Sequence, residues 1–189
     1  MKSILAAVMI ASFFIMAPLN SIGQKRAGSW RADVKLIESK SNATASAEGD
    51  LSAGKPMEDL SWASSSSNAC FPATQNEKFR GNHVFFATSI PARSIVTVSV
   101  TPTDESVNLS LYAYMMGADS FDMVPDLARC ITCEADHKWD RPWKGKVQTS
   151  ERKVEFQNPT QNTYNIFIGV SSPKAITSGK FRVDVKTKY

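Results

Sequence analysis

"SIVTVSVTP" (residues 94–102) alternates without a break: Val96, Val98 and Val100 fall on one side, and Thr97, Ser99 and Thr101 on the other. Side chains that repeat every second residue mark a strand with one buried face. Five neighbouring stretches repeat the pattern. "HVFFATSI" (83–90) is β-rich and stops at Pro91. "VNLSLYAYM" (107–115) sets Leu109, Leu111 and Ala113 on one face and Tyr112 and Tyr114 on the opposite one. "RKVEFQN" (152–158) offers Val154 and Phe156. "TYNIFIGVS" (163–171) turns Tyr164, Ile166, Ile168 and Val170 inward. "GKFRVDVKT" (179–187) sets Phe181, Val183 and Val185 against Lys180, Arg182, Asp184 and Lys186.

Turn chemistry separates these runs at Pro91-Ala92, Thr103-Asp104, Asn158-Pro159 and Ser178-Gly179, where fixed or permissive backbone dihedrals bend the chain. No helical stripe interrupts the series. Short strands with one apolar face each bury those faces together, so the expected fold is all-β: a jelly-roll-like antiparallel β-sandwich. It is assigned to residues 69–189, with a cysteine-containing insertion at 116–150 forming a long loop.

The segment ahead of the strands reads differently. "MKSILAAVMIASFFIMAPLNSIGQ" has one early lysine, an uncharged apolar stretch from Ile4 to Leu19, and small residues at Ser21 and Gly23. That is the pattern of a signal peptide over 1–23, with Gln24 as the first mature residue. The apolar stretch is short of the roughly 20 residues that a membrane span needs, so no stable span is expected. The protein is expected to be exported, whether periplasmic, surface-bound or secreted. Residues 24–68 combine a few apolar positions (Trp30, Val34, Leu36, Ile37) with "SNATASAEGDLSAGKPMEDLSWASSSSN". So many small and polar residues bury little surface, which predicts a flexible leader or linker whose end docks through Trp62.

The formal charge is +4, and removal of 1–23, which takes one lysine and no acid, leaves +3. Lysines and arginines are interleaved with acids, so nothing forms the basic stripe of a nucleic-acid binder. The chain lacks G-x-S-x-G, H-E-x-x-H and a phosphate-cradling glycine loop. Its two histidines, His83 and His137, are the only imidazole bases. Asn42-Ala43-Thr44 and Asn108-Leu109-Ser110 match glycosylation triplets, the second inside a strand.

Chemistry concentrates in "CITCEADHKWDRPW" (130–143). Cys130 and Cys133 have knuckle spacing, and with His137 and Cys70 they could make a tetrahedral zinc site. In an oxidising compartment the same cysteines pair instead, as Cys130–Cys133, Cys70–Cys130 or Cys70–Cys133, leaving one thiol over. A redox pair fits poorly, because no helix N-terminus is expected here and acids follow closely. Glu134 stands where haem attachment needs a histidine. Calcium could use Asp119, Asp122 and Asp126, or Glu134, Asp136 and Asp140, although neither run matches an EF-hand loop. "KWDRPWKGK" (138–146) is the binding candidate: Trp139, Arg141 and Trp143, with Lys144 and Lys146, could form a stacking platform for a sugar or a peptide. The plainer alternative is that the tryptophans cover the open edge of the sandwich.

Four of the strand stretches, in three places, carry a resemblance. "IVTVSVTP" (95–102), "VNLSLYAY" (107–114) and the pair "YNIFIGV" and "SGKFRVDV" (within 164–185) are similar to the bacterial pre-peptidase C-terminal domain, a small jelly-roll-like sandwich appended to secreted peptidases. The likeness spans about residues 79–187. Asn108 and Ser110 stand where that family often has acids, the 116–150 insertion is longer than its usual connection, and no peptidase accompanies the sandwich. The resemblance implies a non-catalytic exported module, read here as an accessory or binding module; the expected partner is an extracellular or periplasmic protein or glycan, and no cofactor is expected unless zinc or calcium takes one of the sets above. The alternative is a structural zinc domain built on Cys70, Cys130, Cys133 and His137. A small secreted enzyme would require His137 and a cysteine to meet in a cleft.

Overall fold

A computed structural model describes residues 28–189; the expected signal peptide and the first residues of the leader lie outside them. Ten strands run in chain order: β1 (Val34–Leu36), β2 (Thr44–Asp50), β3 (Lys55–Pro56), β4 (Asn82–Ile90), β5 (Ser94–Pro102), β6 (Ser110–Met116), β7 (Thr132–Asp136), β8 (Arg152–Asn158), β9 (Tyr164–Ser171) and β10 (Lys180–Lys188). They form two sheets, β1-β4-β9-β6-β7 with β3 also on β4, and β2-β10-β5-β8. All pairings are antiparallel except β1 on β4, which is parallel. From β7 to β10 each successive strand changes sheet, the connectivity of a jelly-roll-like sandwich. Among the described residues no helix is long and apolar enough to cross a membrane.

The inward residues expected from the alternation meet between the sheets. Val96, Val98 and Val100 of β5, with Val183 and Val185 of β10, face Leu111 and Ala113 of β6 and Ile166, Ile168 and Val170 of β9, all in one buried cluster. In β5 every second residue is buried and those between are half-exposed, as a solvated outer face requires.

β6 departs from that rule, since every one of its residues is buried. Its second face, with Phe85 of β4 and Phe167 of β9, is covered by a layer drawn from the segments before β4 and after β6: Leu60, Trp62, Phe71, Phe79, Val124 and Leu127. Phe71 and Phe79 stack at 3.9 Å between centroids, and Trp62 leans on Tyr112 at 5.4 Å. Gly169 of β9 makes room for this layer, because a Cβ there would sit 2.1 Å from the Tyr112 ring. The large polar side chains beneath the layer find partners, as burial demands. The Trp62 indole N–H donates to Asp59 O (3.1 Å), and Tyr114 Oη donates to Asn68 O (3.0 Å). His83 is sealed in, with Nδ1 2.9 Å from Tyr112 Oη and Nε2 2.7 Å from Phe79 O. Burial pushes its pKa down to about 4.

This layer corrects the expected flexible leader over 24–68 and the expected domain start at 69. From residue 28 on, the segment belongs to the sandwich. Val34 and Ile37 are buried, Leu36 is exposed, and Trp30 stacks on Phe167 at 6.0 Å. β2 completes the smaller sheet as an edge strand, pairing Thr44–Lys186 through Asp50–Lys180. The small residues that suggest disorder are the ones this edge needs. Gly49 lies over Phe181, whose ring atoms come within 2.4 Å of where a Cβ would be, while Ala45 and Ala47 pack on the intersheet core. Docking through Trp62 holds as expected. The 116–150 insertion likewise contains a strand, β7, paired with β6 from Leu111–Asp136 to Met115–Thr132.

Trp62→Ala should cost about 3–5 kcal/mol in urea unfolding, whereas a residue in a flexible leader would cost almost nothing. His83 has a folded pKa below its unfolded value of 6.5, so the unfolded chain takes up the proton first as pH falls. The stability contributed by neutral His83 is full above about pH 6.5 and disappears on the way down to about 4, a loss of roughly 3 kcal/mol. His83→Gln should flatten that acid limb in stability measured against pH.

Candidate functional site

The Cys-His-Trp segment hangs from the outer edge of the larger sheet. β7 places Cys133 opposite Tyr114 and Ala135 opposite Tyr112. There Cys133 is joined to Cys70, with Cα atoms 5.1 Å apart and a sequence separation of 63. Cys70 N donates to Ala63 O at 2.7 Å, directly after the turn that carries Trp62. The bond therefore ties the covering layer to the strand beneath the loop.

Of the three possible pairings the structure holds Cys70–Cys133, and Cys130 is the remaining thiol. Cys130 is partly buried, its Sγ donating to Ser67 O at 3.8 Å, and burial raises its pKa. The four-ligand zinc set is not assembled: two of its thiolates are consumed in the disulfide, and His137 rests against the Phe79 ring at 5.8 Å. Partial burial pushes the His137 pKa down, against the pull of Asp136. Among the described residues no three His, Cys, Asp or Glu side chains come together as a metal cluster. Three of the six acids considered for calcium have other partners. Asp122 accepts from Ser120 Oγ (3.3 Å), Asp136 accepts from Lys153 N (2.9 Å), and Asp140 is paired with Lys78, which lowers the Asp140 pKa.

The loop from 137 to 151 is braced from within. Gln148 Oε1 accepts from Trp139 N (2.8 Å), and Gln148 Nε2 donates to His137 O (2.9 Å). At its tip Lys146 N donates to Trp143 O (2.9 Å), while Lys144 and Gly145 take φ of 49° and 71°. Positive φ at both central residues is the signature of a type I′ turn. Trp143 is 58% exposed, and Trp139, half-buried, meets it edge-on at 6.4 Å and 75°. Lys144 Nζ lies 4.4 Å from the Trp143 centroid, within cation–π range. Neither ring belongs to either core cluster.

Trp139 and Arg141 stand between two depressions. One, of about 420 Å³, is lined by Trp139, Asp140, Arg141 and Trp143. The other, of about 430 Å³, runs between the loop and the β5–β6 connection, with Ser106, Asn108, Trp139, Arg141, Thr149 and Arg152 among its lining residues. The expected residues Trp139, Arg141 and Trp143 are thus brought together. Sequence reasoning missed Gln148, Asn108 and Arg152. The signal for Arg152 was present: it is in phase with Val154 and Phe156, and β8 alternates buried and exposed from Arg152 to Asn158.

No family model and no curated protein matches the chain. Among solved structures it is similar to the pre-peptidase C-terminal domain of collagenase from Bacillus anthracis, at 10% identity over 84% of this chain and 100% of that one, with a TM-score of 0.40. It is similar also to PliG, a periplasmic inhibitor of g-type lysozyme from Aeromonas hydrophila, at 9% identity over 82% and 97%, TM-score 0.41. A third is CorA, a surface-associated copper-binding protein of Methylomicrobium album BG8, at 12% identity over 82% and 98%, TM-score 0.45. The first is of the kind the strand sequences resemble. At these identities and TM-scores the likeness transfers no ligand.

A 63-residue separation makes the disulfide worth about 4 kcal/mol through the unfolded chain. Denatured oxidised protein should show one free thiol and gain two hydrogens on reduction, read by thiol titration and intact mass. Cys130→Ser should abolish the thiol and keep the mass gain.

Proposed function

We propose that this chain is a non-catalytic exported binding module whose ligand surface is the braced loop between β7 and β8. The observation that carries this reading is the pair Trp139 and Trp143, held beside Arg141 and Lys144 on a turn outside both cores. Aromatic rings fixed before the ligand arrives lose little entropy on binding, and an aromatic-basic tip suits a carbohydrate or a protein surface. Export is supported by the signal-like N-terminal stretch and by a disulfide that links distant segments, a pairing that persists in oxidising compartments. The partner is an extracellular or periplasmic protein or glycan rather than a nucleic acid, and no cofactor enters the reading.

Residue chemistry favours binding over catalysis. His83 is sealed with both ring nitrogens occupied. The Cys130 thiol, raised by burial, bonds to Ser67 O rather than to His137. Neither pair forms the nucleophile and base that covalent catalysis needs.

The test is a glycan array, run beside a panel of purified secreted and periplasmic proteins, probed with the mature protein and with the Trp139→Ala/Trp143→Ala double variant. Every specific signal should weaken by about tenfold or more in the variant while its unfolding midpoint stays unchanged. Signals equal in the two proteins, or none at all, would overturn the assignment.

A further inference from the structure

The depression of about 430 Å³ contains an arginine in an unusual setting. Arg152 lines it and is only 2% exposed. Its Nε donates to Leu109 O (3.0 Å), and its Nη1 donates to Thr149 O and Glu151 O (both 2.7 Å). Those three carbonyls use the donors of Nε and Nη1 and leave the two of Nη2. No carboxylate among the described residues forms an ion pair with this guanidinium. The acid that acts on it electrostatically, Asp136, is engaged by Lys153 N and by Gln148 Nε2 at 3.4 Å. A buried cation bonded only to neutral carbonyls is incompletely compensated. An anion meeting Nη2 would complete it, and arginine is the side chain suited to planar or tetrahedral oxyanions.

A second, independent observation lies in the same wall. Asn108 also lines the depression, and its side-chain oxygen is buried with no hydrogen-bond partner. A buried acceptor left unpaired costs about 1–3 kcal/mol, and a ligand hydroxyl would satisfy it. Around these two groups stand Trp139, the exposed Arg141 and Lys138, the acids Glu105 and Asp140 (the latter paired with Lys78), and the hydroxyl residues Ser106 and Thr149. The volume lies toward the low end of the range of about 300–1,000 Å³ for ligand sites, which suits one or two sugar rings.

We infer that this depression is a subsite for an acidic sugar, a hexuronate or a sulfated hexose, with its carboxylate or sulfate on Arg152, a ring hydroxyl on Asn108 and a ring face on Trp139. This rests on the binding-module reading and narrows it. A cation, an unpaired acceptor and a flat ring within one small hollow match the three kinds of group an acidic sugar presents. A peptide carboxylate would use the first alone.

The experiment is titration calorimetry of the mature protein with three probes: a galacturonic acid trisaccharide, the neutral galactose trisaccharide of the same linkage, and an acetylated tripeptide with a free C-terminal carboxylate. The acidic sugar should bind about tenfold or more tightly than the neutral one, and its affinity should fall with added salt. Arg152→Lys should remove that preference. Because Arg152 also holds three carbonyls, Asn108→Asp serves as the second variant: it keeps the side-chain shape and places a competing carboxylate beside the guanidinium. It should weaken the acidic sugar by about tenfold relative to the neutral one. Equal affinity for acidic and neutral sugars, lost in the Trp139→Ala/Trp143→Ala variant, would overturn the acidic-sugar assignment and leave the binding module standing. Binding of the peptide without the uronate would also overturn it. Failure of all three probes here, together with a blank array and protein panel, would remove both readings.

Discussion

Tyr112 and Tyr114 stand on the face of β6 that points away from the intersheet core, and both are fully buried. That constraint organises the rest of the molecule. A two-sheet sandwich leaves its outer faces to water, yet two tyrosines, Phe85 and Phe167 make this outer face as apolar as an inner one. Exposing such a patch would favour association, so a third layer must cover it. The chain supplies that cover from the residues before β4 and after β6, with Trp62, Phe71 and Phe79 as its largest pieces. His83 of β4 and Asn68 of the cover serve the hydroxyls carried in with the tyrosines, which need partners. The larger sheet is accordingly a middle layer.

The loop from 137 to 151 depends on that cover. Cys70 follows the Trp62 turn and bonds to Cys133 on β7, so the strand from which the loop departs is locked to the layer above it. The other end of the loop is held by Arg152, whose guanidinium gathers carbonyls from both sides of the groove. Between these anchors Gln148 braces the chain. A tip with two tryptophans can then stand out in solvent without folding back onto the core.

The main sandwich was legible in the sequence because its strands obey one simple rule. β5, β8 and β10 alternate large apolar and polar residues, and their inward sides are the residues the alternation marks. β2 was not legible, although it too alternates. Its inward residues, Ala45, Ala47 and Gly49, are small, Gly49 because Phe181 fills the space above it, and small residues in a polar stretch look like a linker. β7 hid for another reason: a five-residue edge strand with two acids carries too little pattern to separate from a loop. The second core could have been suspected from Tyr112, Tyr114 and Phe167 on nominally outer faces. The site divides in the same way. Trp139, Arg141 and Trp143 stood out by type, whereas Asn108 and Arg152 matter through what surrounds them, and composition does not report that.

The disulfide sets a problem of order for the growing chain. Cys70 is made first, and the next cysteine to follow is Cys130, three positions ahead of the partner it keeps. Proximity along the chain scarcely separates the two candidates, since closing a loop of 60 or of 63 residues carries almost the same entropy. The choice therefore falls to the sheet. Once β7 zips onto β6, Cys133 is set opposite Tyr114, while Cys130 lies before the strand and bonds to Ser67. Correct oxidation is a consequence of strand registration, and a chain whose Cys70 is oxidised before β6 and β7 pair would divide itself between Cys130 and Cys133, the former holding the loop three residues out of place.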